Sequence, residues 1–151
     1  MLSLAQPLWA ADSVELGATT IDSTTPTTTE KSQTSYQAVA STVATRTETP
    51  LIEVPASVNV VTHRVIEDRA PQSLDEAINA VSGVKQGNTL GGTQDAIIKR
   101  GFGTNRDNSI MRDGMQSVQA RNFTPTTERV EVLKGPASML YGVQDPGGVI
   151  N

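Results

Sequence analysis

The run from Glu128 to Gly142, Glu-Arg-Val-Glu-Val-Leu-Lys-Gly-Pro-Ala-Ser-Met-Leu-Tyr-Gly, narrows the choice of folds more than any other part of the chain. Side chains alternate along a strand, so Val130 and Val132 share one face while Arg129, Glu131 and Leu133 share the other. The pattern predicts a half-buried strand, with one face on a core and the other carrying charge. Gly135-Pro136 then stops it, because proline has no N–H for the ladder and fixes φ. Ala137 to Leu140 leaves room for one helical turn before Gly142.

Other short elements surround this strand. Pro55 suits a strand start, and Val58 and Val60 alternate with Ser57 and Asn59. His63 to Asp68 has the length of a short helix. Ser73-Leu-Asp-Glu76 reads as a capping box, with the serine hydroxyl accepting the Glu76 N–H and the Glu76 carboxylate returning to the Ser73 N–H. Leu74, Ala77, Ile78 and Val81 then fall on one helical face, and Gly83 can close that helix in a left-handed conformation. Val84 to Gln86 leads into a glycine-rich loop over Gly87 to Thr93, and Ala96 to Arg100 forms the next strand. Asp113-Gly114 between Ile110–Arg112 and Met115–Val118 is a two-residue hairpin signal. The class is α+β, with a small mixed sheet, short helices and long loops.

Composition removes several functions. A net charge of −4 and a pI near 4.9 leave no basic stripe for phosphates, so no nucleic-acid partner is expected. With no cysteine there is neither a disulfide nor a thiolate nucleophile. The single histidine, His63, has no second histidine or cysteine at metal-ligand spacing and reads as a surface residue. The glycine-rich loop lacks the lysine and following helix of a phosphate-binding loop. Nothing assembles into an active site, so the chain is not read as an enzyme, and no intrinsic cofactor is expected.

The Glu128–Gly142 run followed by Asp145-Pro-Gly-Gly-Val-Ile-Asn151 resembles the closing segment of the plug domain of TonB-dependent outer-membrane receptors, in the branch that takes up ferric siderophores. Further pieces stand upstream in that family's order: Pro55 to Val61, Ser73 to Val84, Ile98 to Gly103 and Arg112 to Gly114. A large plugged barrel has about 22 strands of about 9 to 11 residues with aromatic girdles. At 151 residues and 3% aromatic content this chain has room for a plug and a tail and no barrel. It therefore reads as a receptor fragment.

The resemblance organises the N-terminal third. Residues 1–11 look like the remnant of a signal peptide, apolar but without the positive charges of a complete one, since no lysine or arginine precedes Lys31. Asp12, Ser13, Val14, Glu15, Leu16, Gly17 and Ala18 are similar to a TonB box, a short extended segment that can add as a strand to a partner's sheet. Residues 19–49 hold twelve threonines and almost no large apolar side chain, which predicts a flexible, disordered linker. Residues 50–151 are then the plug, with order beginning near Leu51.

What the resemblance implies for sites follows from position. Arg100, Arg129, Glu131 and Lys134 stand as a barrel-facing charge latch, and Asn105, Arg106, Gln119, Arg121 and Phe123 lie on ligand-facing loops. The implied partners are TonB, the receptor's β-barrel and a ferric siderophore as transported ligand. The implied place is the bacterial outer membrane with the plug inside the barrel, or the periplasm without a barrel. The function expected is the gating portion of a siderophore receptor. The alternative is a free-standing periplasmic interaction domain, or a decayed receptor fragment, that binds TonB or another partner without transport.

Overall fold

The computed structural model describes residues 34–103, 108–117 and 121–151. In order these give strands β1 (Ala40–Ser41), β2 (Thr49–Pro50) and β3 (Ser57–Val61), helices α1 (His63–Arg69) and α2 (Leu74–Ile78), and strands β4 (Val84–Gln86) and β5 (Ile97–Lys99). The hairpin β6 (Met111–Arg112) and β7 (Met115–Gln116) follows, then β8 (Val130–Lys134), helix α3 (Ser138–Tyr141) and β9 (Gly148–Ile150). Among the described residues the sheets have two or three strands and none closes into a barrel. No described helix is long and apolar enough to cross a membrane.

The three-stranded sheet has the order β3-β8-β9, antiparallel throughout. Val61 lies opposite Val130, and Val132 lies opposite both Asn59 and Ile150. The strand β8 is therefore central, and Val130, Glu131, Val132 and Leu133 are all buried. This corrects the half-buried expectation. Val130 and Val132 pack with Val61, Leu74, Ile78, Ile97 and Ile150 in the larger core, and Leu133 packs with Val43, Met111, Ala137, Tyr141 and Val149 in a second one. The two cores lie on opposite faces of one strand, as its two-residue period requires.

Val43, fully buried, belongs to the stretch expected to be a linker. Packing begins before residue 50: Ala40 pairs with Pro50 and Ser41 with Thr49. The physical reason is that residues 40–46 are ordered by groups far along the chain, on β8 and α3, rather than by an apolar pattern of their own. The rest of the expected linker, residues 19–33, lies outside the described residues.

Several local expectations hold. Asp113 (φ 52) and Gly114 (φ 75) make the tight turn of β6–β7. Leu74, Ala77, Ile78 and Val81 are buried together, and Gly83 follows at φ 76. The capping box differs: Ser73 makes no side-chain cap, and the Glu76 carboxylate accepts the Gln72 N–H at 2.7 Å instead. The carboxylate still satisfies a backbone donor at the helix start, one residue earlier. At the other end Gly147 and Gly148 are forced by close approach: an added Cβ would lie 2.4 Å from the Lys99 carbonyl oxygen at Gly147 and 1.9 Å from that of Leu133 at Gly148.

Candidate functional site

Glu131, with 1% of its surface exposed, is the centre of the site. The alternation of β8 turns its carboxylate to the face that also carries Leu133, where residues 41–43 cover it. The Ser41 hydroxyl (3.1 Å), the Thr42 N–H (3.1 Å) and hydroxyl (3.1 Å), and the Val43 N–H (2.8 Å) all donate to Oε2. Arg129 Nε lies 3.1 Å from Oε1, two residues back on the same strand face. Burying a lone carboxylate costs several kcal/mol in proteins, on the order of 5, so its retention here rests on this set of charge-assisted donors.

The strap formed by residues 40–46 is gripped from a second side. Tyr141 Oη donates to the Val43 carbonyl at 2.8 Å. Arg46 donates to the carbonyls of Leu140 (2.8 Å) and Gly114 (3.1 Å), and its guanidinium carbon sits 5.0 Å from the centre of the Tyr141 ring. Burial pushes the Tyr141 phenol above its usual value of 10.0, with Arg46 opposing and the Glu131 charge adding. Beside the strap lies a polar cleft of about 920 Å³, with Thr42, Arg46, Glu131 and Tyr141 on its wall together with Arg112 and Asn151.

The four residues expected as one charge latch occupy two places. Glu131 faces inward, so it does not present its charge outward to a partner; Leu133 on the same strand face carried the sign that this face is buried. Arg129 is partly exposed beside it. Arg100 and Lys134 stand elsewhere, at the turn after α2. Lys134 Nζ donates to the Ser82 hydroxyl at 3.0 Å, and the Arg100 side chain passes 3.9 Å from the Cβ position of Gly83 and 3.6 Å from that of Gly135. Arg100 is exposed, held at φ 52 in a two-residue turn with Gly101.

Of the loop residues, Arg121 is exposed and donates to the Gly92 carbonyl at 2.9 Å. The buried Asp95 accepts the Asn122 N–H at 2.6 Å, so the glycine-rich loop and the segment around Arg121 are tied together. Phe123 is partly buried against the larger core, which corrects its placement on an exposed loop: an apolar ring packed on that core gains more by leaving water. Asn105, Arg106 and Gln119 lie outside the described residues, as do Asp12 to Ala18.

Sequence reasoning passed over Lys99. It is 1% exposed, and its Nζ donates to the Ile97 carbonyl at 3.3 Å and to the Ser109 hydroxyl. The signal was its two-residue spacing from Ile97, which places both on one strand face. His63 is partly exposed, 3.3 Å from Glu67 one helical turn on. No group of three or more histidine, cysteine, aspartate or glutamate side chains suited to a metal ion occurs among the described residues.

The chain is thus a small α+β body with charged groups inside and a strap laid across its central sheet. The family model described as TonB-dependent Receptor Plug Domain matches residues 50–149, and the chain belongs to that family. The ferrioxamine receptor of Yersinia enterocolitica is 36% identical over 123 residues, covering 76% of this chain and 17% of the relative. The ferrichrome outer membrane transporter/phage receptor of Escherichia coli is 34% identical over 121 residues, covering 74% of this chain and 16% of the relative. Among solved structures, the siderophore receptor PiuA from Acinetobacter baumannii has a TM-score of 0.63 and 32% identity, covering 82% of this chain and 17% of that one. The chain thus spans about one-sixth of the length of these relatives, which are receptors and transporters rather than enzymes.

Proposed function

We propose that this chain is the gating portion of a ferric-siderophore receptor, seated inside a β-barrel in the bacterial outer membrane and moved through TonB. The observation that carries the reading is the plug family match over residues 50–149, with relatives named as ferrioxamine, ferrichrome and catecholate siderophore receptors. Asp12 to Ala18 is the TonB contact, joined to the plug by the threonine-rich stretch that follows. An added strand needs only extended backbone with alternating side chains, which Val14 and Leu16 offer.

Arg100 and Lys134 supply the outward charge toward the barrel wall. Arg100 is exposed and Lys134 meets a surface hydroxyl, that of Ser82, so both suit pairs that exchange readily with water. Arg121, together with Asn105, Arg106 and Gln119, offers the cations and amide donors that a polar ferric chelate requires. The test is capture of the chain by the periplasmic domain of TonB. Removal of Asp12 to Ala18 abolishes capture on this reading; equal capture with and without those seven residues overturns it.

A further inference from the structure

The grip on residues 40–46 has a mechanical meaning. These residues lie ahead of the family match; among the described residues upstream of them, Tyr36 meets α1 and the Val39 carbonyl accepts the Leu51 N–H at 2.9 Å. Tyr36 is a weak hold: it is 61% exposed, and its contacts with Asp68 and Arg64 are on the surface, where such pairs contribute little. Strand β1 offers only two residue pairs with β2. The next hold is different in kind. Three successive residues, Ser41, Thr42 and Val43, donate to one buried carboxylate, so none of them leaves without exposing that charge to a gap.

We propose that Glu131 is the anchor of the leading segment, a positioning residue through which tension upstream of Ala40 reaches the central strand. The proposal rests on the receptor reading above only for the source of the tension. Residues 40–46 are then a removable wall. When the anchor gives, Thr42 and Arg46 leave the lining of the 920 Å³ cleft, and Val43 leaves the second core. The larger core, packed on the opposite face of β8 by Val130 and Val132, contains no residue of the strap. Opening is therefore partial: one face of β8 is uncovered while the ladder β3-β8-β9 stays paired.

Two measurements on the full 151-residue chain test this. In Glu131→Gln the charge is lost and one oxygen becomes an N–H₂, which must face either the strap's donors or the Arg129 guanidinium, so the strap's bonds lose their acceptor or their charge assistance. Hydrogen exchange at Thr42 and Val43 accelerates by about tenfold or more, the loss expected for a hydrogen bond to a charged group. Exchange at the β3–β8 amides rises far less. A carboxylate that merely supported the whole core would accelerate both sets together, and that result overturns the proposal.

Stretching the chain between its ends gives the second readout. The native chain yields a short first rupture on the order of 30 Å, the length released between residues 40 and 50 at full extension, ahead of the main unfolding event. Glu131→Gln lowers the force of the first event and leaves the second nearly unchanged. A single rupture, or a first event indifferent to the substitution, refutes the anchor. If Glu131→Gln does not fold, Ser41→Ala and Tyr141→Phe each remove one bond to the strap from opposite sides and produce the same selective effect at smaller size. Unchanged Thr42 and Val43 exchange in both overturns the proposal. TonB takes no part in either measurement, so loss of the capture result and loss of the anchor are separate outcomes.

Discussion

Replacing Gly148 by alanine strikes the junction on which β9 depends. Gly148 holds φ 131, a conformation closed to ordinary L residues, and an added Cβ would fall 1.9 Å from the Leu133 carbonyl oxygen and 3.0 Å from its carbon. Both atoms are backbone of the central strand, so no side chain can swing aside. The conformational cost is about 1–3 kcal/mol, and forcing β9 away from β8 adds about 1–3 kcal/mol of overpacking. A loss of about 4 kcal/mol is a large fraction of the roughly 5–15 kcal/mol that holds a domain together. It corresponds to a fall in Tm of roughly 15 °C or more for a body of about 100 residues.

Gly91 is the control. It has φ 70 with no atom within 4 Å of the added Cβ, so alanine there meets only the left-handed penalty of about 1–2 kcal/mol. Gly147, without a positive φ but with the Lys99 carbonyl oxygen 2.4 Å away, isolates the steric part. Urea unfolding followed by far-ultraviolet circular dichroism ranks the three, and Gly148→Ala is expected to cost at least twice what Gly91→Ala does. A Gly148→Ala protein as stable as Gly91→Ala would refute the reading of a close-packed β8–β9 junction.

Three further outcomes are expected. The folded Tyr141 phenol holds its proton more tightly than the unfolded one, so its contribution is complete below about pH 10 and is lost as pH rises through its raised folded value. Tyr141→Phe flattens the stability profile above pH 10 and costs about 1 kcal/mol at neutral pH through the lost bond to Val43; an unaltered alkaline limb counts against it. Asp95→Ala leaves the Asn122 amide without its acceptor, at about 1–3 kcal/mol, and exchange at Asn122 accelerates while Val132 stays protected; equal rates at Asn122 contradict the loop tie. Arg46→Ala removes two bonds to carbonyls and the contact with the Tyr141 ring, about 1–2 kcal/mol. Arg46→Lys restores little of it because an ammonium cannot reach both acceptors as a fork does; full recovery in unfolding experiments contradicts the two-point grip.

What was readable in the sequence was local. The Asp113-Gly114 hairpin, the buried face of Leu74, Ala77, Ile78 and Val81, and the stop of β8 at Gly135 each depend on residues within a few positions of one another. Two features escaped because their cause is distant. Residues 40–46 look like low-complexity chain, with Val43 their only large aliphatic side chain, and nothing near them announces an acceptor on β8. The face of β8 that carries Glu131 looks solvated for the same reason, since its cover comes from that same unpromising stretch. Arg100 is exposed and Lys134 meets only partial cover, whereas Lys99, one residue from Arg100, turned inward with Ile97.

The order β3-β8-β9 also governs when the body can form. Ser57 waits for Lys134, and Lys134 in turn waits for Gly148, so the middle of the sheet has no neighbour on one edge until Gly148 to Ile150 have been made. Pairings so far apart along the chain are slow to close, because the entropy of a long loop is lost before any contact compensates for it. During synthesis the helix of Leu74–Ile78 and the turn at Asp113 can flicker into shape early, but this sheet stays pliable until β9 arrives.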